Sequence, residues 1–131
     1  MSAIVELDEL LKSMLPQLQE GEYAFCNVPG KVEDYAHLDP LGFFKESEGL
    51  TLILLADVAR RADIGFEITF RQITLTVHSS LEAVGLTAAV ANKLTQYGIS
   101  ANVVAAYFHD HIFVPSDKAQ QALAALNEFS A

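Results

Sequence analysis

Three stretches of the chain carry apolar residues at the three- and four-residue spacing of an amphipathic helix. The first spans about residues 4–15 and ends at Pro16, which cannot continue a helix. The second runs from Leu86 to Tyr97 and is closed by Gly98, and the third follows Ser116-Asp117. The apolar faces are formed by Leu7, Leu10, Leu11, Met14 and Leu15, by Leu86, Val90, Leu94 and Tyr97, and by Ala119, Ala122, Leu123, Leu126 and Phe129.

Short apolar runs bounded by glycine, proline and polar clusters predict strands between these helices. A long loop with a short strand at 42–45 is expected within residues 29–49, and Asp57 is a candidate N-cap for a short helix through Ala62. The predicted strands are 22–28, 50–55, about 71–78, 102–107 and 111–114.

The alternation of apolar residues changes parity inside one predicted strand region. Phe66, Ile68 and Phe70 share one parity, whereas Ile73, Leu75 and Val77 share the other. Strand side chains alternate with period two, so one register cannot bury both sets. Either a bulge lies near Arg71-Gln72 or the strand passes between two packing units. We take it as a boundary between an irregular N-terminal half, 1–65, and a C-terminal half, 66–131.

The second half has the order β-α-β-β-α, which is a ferredoxin-like βαββαβ unit without its last strand. The predicted fold is therefore α/β (α+β), with two such halves packed together. Because open sheet edges are normally paired or covered, the missing strand should come from the first half, with residues 22–28 as a candidate, or from another subunit.

Charge and cysteine content exclude several classes of function and site. The net charge is −9, and residues 1–50 hold ten acidic and three basic side chains, so nucleic-acid binding is not expected. A single cysteine, Cys26, excludes an intramolecular disulfide and a multi-cysteine zinc site. The N-terminus lacks the features of a signal peptide, and the longest apolar run, Leu52–Ala56, is too short to cross a membrane. We expect a soluble cytoplasmic protein.

Two segments of the second half resemble a known family. Gly85-Leu86-Thr87-Ala88-Ala89-Val90 and Tyr97-Gly98-Ile99-Ser100-Ala101-Asn102-Val103 resemble the ACT domain, the small-ligand-binding regulatory module of amino-acid metabolism. The stretches 75–85 and 107–115, with Glu48-Gly49-Leu50-Thr51-Leu52-Ile53-Leu54, are similar to a family of stand-alone bacterial tandem-ACT proteins of uncharacterised function. The resemblance covers most of residues 48–128 and implies two ACT-like halves.

The loop 78–85 and the following helix start form the first candidate site. A helix N-terminus offers unpaired N–H groups to a carboxylate, and the hydroxyls of Ser79 and Ser80 are further donors. The resemblance implies an effector pocket made by this loop and the start of the second strand. Its residues here are His78, Ser79, Ser80, Gly85, Leu86, Thr87, Ile99, Ser100, Ala101 and Asn102. Alternatively, the glycines only make turns and the serines are solvated.

His109-Asp110-His111 is the second candidate site. Two imidazoles and a carboxylate suit zinc, nickel or iron. In a hairpin, however, His109 and His111 share one parity and Asp110 points elsewhere, so a third ligand would have to come from Cys26, His37 or His78. A structural turn, or a contact of His109 or His111 with a small molecule, are the alternatives. We expect no metal site. A Cys26–His78 thiolate pair has no support in the spacing.

The resemblance therefore implies a non-enzymatic sensor that binds a small molecule, most plausibly an amino acid, without a cofactor. We expect a homodimer or higher homo-oligomer, because ACT modules associate through sheets or helices. Two rival functions stay open: a metal-dependent enzyme using His109 and His111, and a ligand-free oligomerisation or interaction module.

Overall fold

The computed structural model describes residues 6–77 and 85–130. Within these ranges the chain forms two compact units: residues 21–70, here the inserted unit, and the described parts of 1–20 and 71–131, here the split unit. No helix in the described ranges is long and apolar enough to span a membrane. The elements are α1 (Leu7–Lys12), β1 (Pro16–Leu18), β2 (Tyr23–Val28), β3 (Gly42–Glu46), β4 (Gly49–Leu55), α2 (Ala56–Arg61), β5 (Phe70–Leu75), α3 (Leu86–Gln96), β6 (Asn102–Ala105), β7 (Asp110–Pro115) and α4 (Ala119–Asn127), with 3-10 helices at Val32–Leu38, Ser116–Lys118 and Glu128–Ser130.

The inserted unit is built on an antiparallel sheet in the order β3–β4–β2. β2 pairs with β4 along its whole length, from Tyr23 opposite Leu55 to Val28 opposite Leu50. On the other side of β2, Tyr23 pairs with Phe70. The 3-10 helix and α2 cover the sheet, and the buried core residues are Ala24, Cys26, Val28, Leu50, Leu52, Leu54, Ala56 and Ala59.

The split unit has the strand order β1–β5–β7–β6. The chain order β5-α3-β6-β7-α4 confirms the ferredoxin-like pattern, and β1 takes the place of its last strand. α1, α3 and α4 cover one face of this sheet, with a core of Leu10, Met14, Ile73, Leu75, Val77, Leu86, Val90, Leu94, Ile99, Ile112, Val114, Ala119, Ala122, Ala125 and Leu126.

The missing strand therefore comes from residues 16–18 and not from the predicted candidate, 22–28. β1 lies antiparallel to β5, with Pro16 opposite Leu75 and Leu18 opposite Ile73. Pro16 is tolerated because it is the first residue of the strand, where the missing N–H costs no ladder bond. Residues 23–28 are occupied in the inserted unit, where both edges of β2 are paired.

The compact units divide the chain differently from the predicted halves, 1–65 and 66–131. α1 and β1 pack with α3, α4 and β5, so residues 6–20 belong with the C-terminal part of the chain. The second division falls between Phe70 and Arg71, inside β5. This is where the apolar residues change parity.

Two local predictions need correction in the inserted unit. The strand predicted within 29–49 is present as β3, but the loop predicted before it contains the 3-10 helix Val32–Leu38. Asp57 is not the N-cap of α2: Leu55 holds that position, and Asp57 lies in the first turn, where its Oδ1 accepts from Arg60 Nη1 at 2.8 Å.

α2 and α3 end in the same way but with different residues. The N–H of Ile99 donates to Leu94 O at 3.0 Å and that of Gly98 to Thr95 O at 2.9 Å, which is the hydrogen-bond pair of a Schellman motif. At α2 the equivalent bonds run from Ile64 to Ala59 and from Asp63 to Arg60, at 2.9 and 3.1 Å. Asp63 thus has the left-handed φ of 57° that glycine adopts more easily.

Replacing Asp63 with glycine should raise the free energy of unfolding by about 0.5–1 kcal/mol, because glycine removes the steric cost of the left-handed conformation. Gly98→Ala should lower it by about 1 kcal/mol through backbone strain alone, since the added Cβ meets no atom within 4 Å. Urea denaturation followed by circular dichroism measures both. Asp63→Ala is the control, since it removes the charge but keeps the strain; a rise in that variant would contradict the argument.

Candidate functional site

The start of α3 has the backbone geometry expected of the first candidate site. Gly85 is the N-cap, with a φ of 93° and no capping side chain, Leu86 is buried, and Thr87 is exposed. A Cβ at Gly85 would lie 3.2 Å from Leu7 Cδ2, so the turn favours glycine for space as well as conformation. His78, Ser79 and Ser80 lie outside the described residues.

The second group of predicted pocket residues lies beyond the other end of α3. Ile99 is buried in the core, and Asn102 Nδ2 donates to Phe113 O at 3.3 Å. α3 has 11 residues, so about 16 Å separates its two ends. The split unit therefore does not bring Gly85, Leu86 and Thr87 together with Ile99, Ser100, Ala101 and Asn102 in one pocket.

His111 is held by polar side chains of β5. Its Nδ1 lies 3.0 Å from both Gln72 Nε2 and Thr74 Oγ1, and Gln19 Nε2 donates to Thr74 Oγ1 at 3.1 Å. Gln72 and Thr74 are only 7% and 6% exposed, so these bonds satisfy buried polar groups. Sequence spacing could not reveal this network, because its members come from β5, from β7 and from the residue that follows β1.

Burial sets the protonation of this network. Desolvation lowers the pKa of His111, helped by the neighbouring His109 and opposed by Asp110. The neutral ring accepts the Gln72 amide hydrogen at Nδ1, which places its own proton on Nε2. Burial also raises the pKa of Asp110, against the effect of both histidines.

His109 lies at the turn before β7, half-buried, where its carbonyl accepts from the N–H of Ala106 at 3.0 Å. The exposed rings of Tyr107 and Phe108 contact each other edge to face, with centroids 4.9 Å apart. Among residues 6–77 and 85–130, no group of three or more His, Cys, Asp or Glu is placed to hold a metal ion. Cys26 is buried, and desolvation raises the pKa of its thiol.

A cavity of about 520 Å³ lies in the inserted unit, at the turn between β2 and the 3-10 helix. Gly30 and Gly49 line it with positive φ values of 98° and 140°. A Cβ on Gly30 would lie 2.8 Å from Asp34 Oδ2, and one on Gly49 would lie 2.7 Å from Asn27 Oδ1. The other lining residues are Lys31, Val32, Glu33, Lys45, Glu46, Ser47 and Leu50. This Gly30 cavity was not among the predicted sites.

Family comparisons identify both parts of the chain. One ACT-domain family model matches residues 2–71, and a second ACT-domain model matches residues 67–128. The chain belongs to the ACT-domain family. The fold also agrees, since each unit pairs an antiparallel sheet with helices in the ferredoxin-like order.

Solved structures share this fold over most of the chain. A Vibrio cholerae protein of unknown function, described as a possible transport protein, is 57% identical with a TM-score of 0.89, covering 95% of this chain and 96% of that one. An Agrobacterium tumefaciens protein is 17% identical with a TM-score of 0.72, at 88% and 87% coverage. The ligand-free regulatory subunit of aspartate kinase from Thermus thermophilus is 12% identical with a TM-score of 0.65, at 89% and 97% coverage. No curated protein matches the chain.

The two ACT matches contain one repeated structural feature. Gly30 and Gly85 each have a φ near 95° and each lie just before a helix, which begins at Val32 in one case and at Leu86 in the other. The turn signal Pro29-Gly30 is visible in the sequence, but it does not predict a cavity. The cavity depends on β3 and β4, which bring Lys45, Glu46 and Gly49 to this turn.

The protonation of His111 should make stability depend on pH. The unfolded ring titrates near 6.5 and the folded ring below it, so the unfolded chain binds more protons as pH falls through this range. The contribution of the neutral ring is complete above about pH 6.5 and is lost as the pH falls. Urea denaturation between pH 7.5 and 5.5 should show a larger loss for the native chain than for His111→Gln.

Asp110→Asn should make this loss of stability at low pH larger, for two reasons. The Asp110 carboxylate raises the pKa of His111, so its removal lowers that pKa further. The raised pKa of Asp110 also favours the folded chain as the pH falls, and the variant loses this contribution. Equal pH slopes in the native chain and His111→Gln would show that the ring is not held neutral by the fold.

Proposed function

We propose that this protein is a non-enzymatic regulatory protein that binds a small molecule, namely an amino acid or a similar small carboxylate. Membership of the ACT-domain family supports a regulatory, ligand-binding role. The likeness to a regulatory subunit of aspartate kinase agrees with it at the level of fold. The proposal places the protein in the cytoplasm, without a cofactor, nucleic acid or membrane as partner.

The observation that carries the proposal is the charge pattern of the Gly30 cavity. Lys31 and Lys45 line it together with Glu33 and Glu46. Two of the five lysines of an acidic chain thus border one cavity of about 520 Å³, within the ~300–1,000 Å³ typical of small-molecule sites. Ammonium groups suit a carboxylate, and carboxylates suit an ammonium group, so a zwitterion finds partners for both of its charges.

Space and backbone geometry support the same site. The side chains of Asp34 and Asn27 occupy the space that a Cβ on Gly30 or Gly49 would need. Asp34 Oδ2 also accepts from the N–H of Lys31 at 3.0 Å, which fixes the turn. The buried Leu50 gives the cavity an apolar wall. Both glycines also have a positive φ, a conformation that glycine adopts more readily than other residues.

The second part of the proposal concerns the residues of the split unit that the sequence analysis predicts as ligand contacts. We keep Gly85, Leu86 and Thr87 as candidate ligand contacts, with the Nε2–H of His111 and with His109 as further donors. Since α3 separates this group from Ile99–Asn102 by about 16 Å, a pocket that uses both groups takes one from each of two copies. Ligand binding would then be linked to association.

A screen of the common amino acids should raise the melting temperature of the protein with at least one compound. Ligand at 100 times its Kd adds about 2.7 kcal/mol to the free energy of unfolding. Lys45→Gln should weaken this stabilisation, because it removes one ammonium group from the cavity, whereas Lys12→Gln on α1 is the matched control and should not. Differential scanning fluorimetry measures the shift, and calorimetry the affinity.

The rivals give different results in the same screen. No shift with any amino acid would contradict our proposal and favour a ligand-free interaction module. A shift with zinc, nickel or iron, lost in His111→Ala, would favour the metal-dependent enzyme instead.

We also propose that the protein forms a homodimer or higher oligomer. Large apolar side chains are exposed on β3 and at the β6–β7 turn, with Phe44 70% and Tyr107 71% exposed, and such surfaces often mark association sites. Light scattering after size exclusion should give at least twice the 14.3 kDa chain mass. Phe44→Ser and Tyr107→Ser test the two surfaces separately; a monomeric native chain at high concentration would contradict the proposal.

A further inference from the structure

A second cavity of the inserted unit lies at the opposite end of the 3-10 helix from Gly30. It has a volume of about 520 Å³ and is lined by the end of the 3-10 helix and by α2. The lining residues are His37, Leu38, Asp39, Val58, Arg61 and Ala62. We call it the Arg61 cavity; it shares no lining residue with the Gly30 cavity.

The floor of the Arg61 cavity is apolar. Leu38 and Val58 are half-buried, and Leu38 packs against the core of the inserted unit. Ala62 adds a small side chain at the end of α2. The floor therefore accommodates an aliphatic group, while the charged residues stand at the rim.

Arg61 is free to bind a ligand, unlike its neighbour. Arg60 Nη1 pairs with Asp57 Oδ1 at 2.8 Å, and its guanidinium lies 5.5 Å from the ring centroid of Phe66. Across the described parts of the chain, no hydrogen bond or ion pair within 4.0 Å engages the Arg61 side chain. Arg61 also borders a smaller cavity of about 230 Å³ with Glu22 and Asp57, but it pairs with neither.

Asp39 supplies the opposite charge in an unusual backbone conformation. Its φ and ψ of 52° and 58° are left-handed, and its N–H donates to Ala36 O at 3.0 Å to end the 3-10 helix. Non-glycine residues in this region cost free energy and occur often at ligand sites. Asp39 and Arg61 line the same cavity without forming an ion pair. A molecule with both charges could therefore engage both groups.

We propose that the Arg61 cavity is a second ligand site, which takes a free α-amino acid with an aliphatic side chain. Arg61 binds the carboxylate, Asp39 binds the ammonium group, and Leu38 and Val58 contact the aliphatic side chain. The imidazole of His37 is a further polar partner at the rim. The assignment does not depend on the Gly30 cavity, because the two sites use different residues.

Leucine titrated into the ¹⁵N-labelled full chain tests this assignment. The amide signals of residues 37–39 and 58–62 should shift with saturation. N-acetyl-leucine lacks the ammonium group, leucinamide lacks the carboxylate, and glycine lacks the side chain, so each should bind at least fivefold more weakly than leucine.

Variants separate the two sites. Arg61→Gln and Asp39→Asn should each weaken leucine binding roughly five- to tenfold, and asparagine keeps the left-handed backbone accessible. Arg60→Gln, on the same helix, and Lys12→Gln, on α1, are the controls and should leave the affinity within about twofold. The dispersion of the amide spectrum confirms that each variant is folded.

Three results would overturn the assignment: no leucine binding, leucine shifts confined to residues 30–33 and 45–50, or equal affinity in Arg61→Gln and the native chain. The second result would leave the proposed function intact. Leucine binding at residues 37–39 and 58–62 that survives Lys45→Gln would support the second site even if the Gly30 cavity proved empty.

Discussion

β5 is the strand on which the split unit depends, because it is buried on both faces. Ile73 and Leu75 point into the helical core and are fully buried, while Gln72 and Thr74 on the opposite face are almost equally buried. Buried polar groups must find hydrogen-bond partners, and here the partners are His111 of β7 and Gln19 beyond β1. The same residues that pair the strands thus fix the ring of His111. A hydrophobic β5 would pack as well but would leave the ring without its partners.

The sequence predicts those elements whose signal is local. α3 and α4 follow from apolar periodicity and end signals, and the change of parity near Arg71 marks where the chain passes between compact units. β1 was missed because it has only three residues, begins with a proline and follows a helix, so it shows no alternation of apolar and polar residues. The 3-10 helix Val32–Leu38 was missed because none of its residues is fully buried, so no apolar face identifies it.

The candidate sites show the same difference between features with a local sequence signal and features without one. A glycine before a helix is a local signal, so Gly85 was predicted together with its backbone role. The Gly30 cavity needed Lys31 and Lys45, which are fourteen positions apart and meet only because β3 and β4 return the chain to the same turn. These two lysines also explain how an acidic chain could hold an anionic group. At close range, ammonium groups act more strongly than distant carboxylates, whose fields water and salt screen over about 8–10 Å.

The two cavities of the inserted unit meet the same short helix at opposite ends, with Val32 and Glu33 at one end and His37 and Leu38 at the other. A 3-10 helix has poorer hydrogen-bond geometry than an α-helix and readily changes its winding. A ligand that favoured one winding at the first cavity would therefore alter the shape of the second. Linkage requires this effect to be reciprocal, so each ligand changes the affinity of the other by the same factor. If both proposed sites bind their ligands, coupling between them needs no catalytic group, because they share this seven-residue helix.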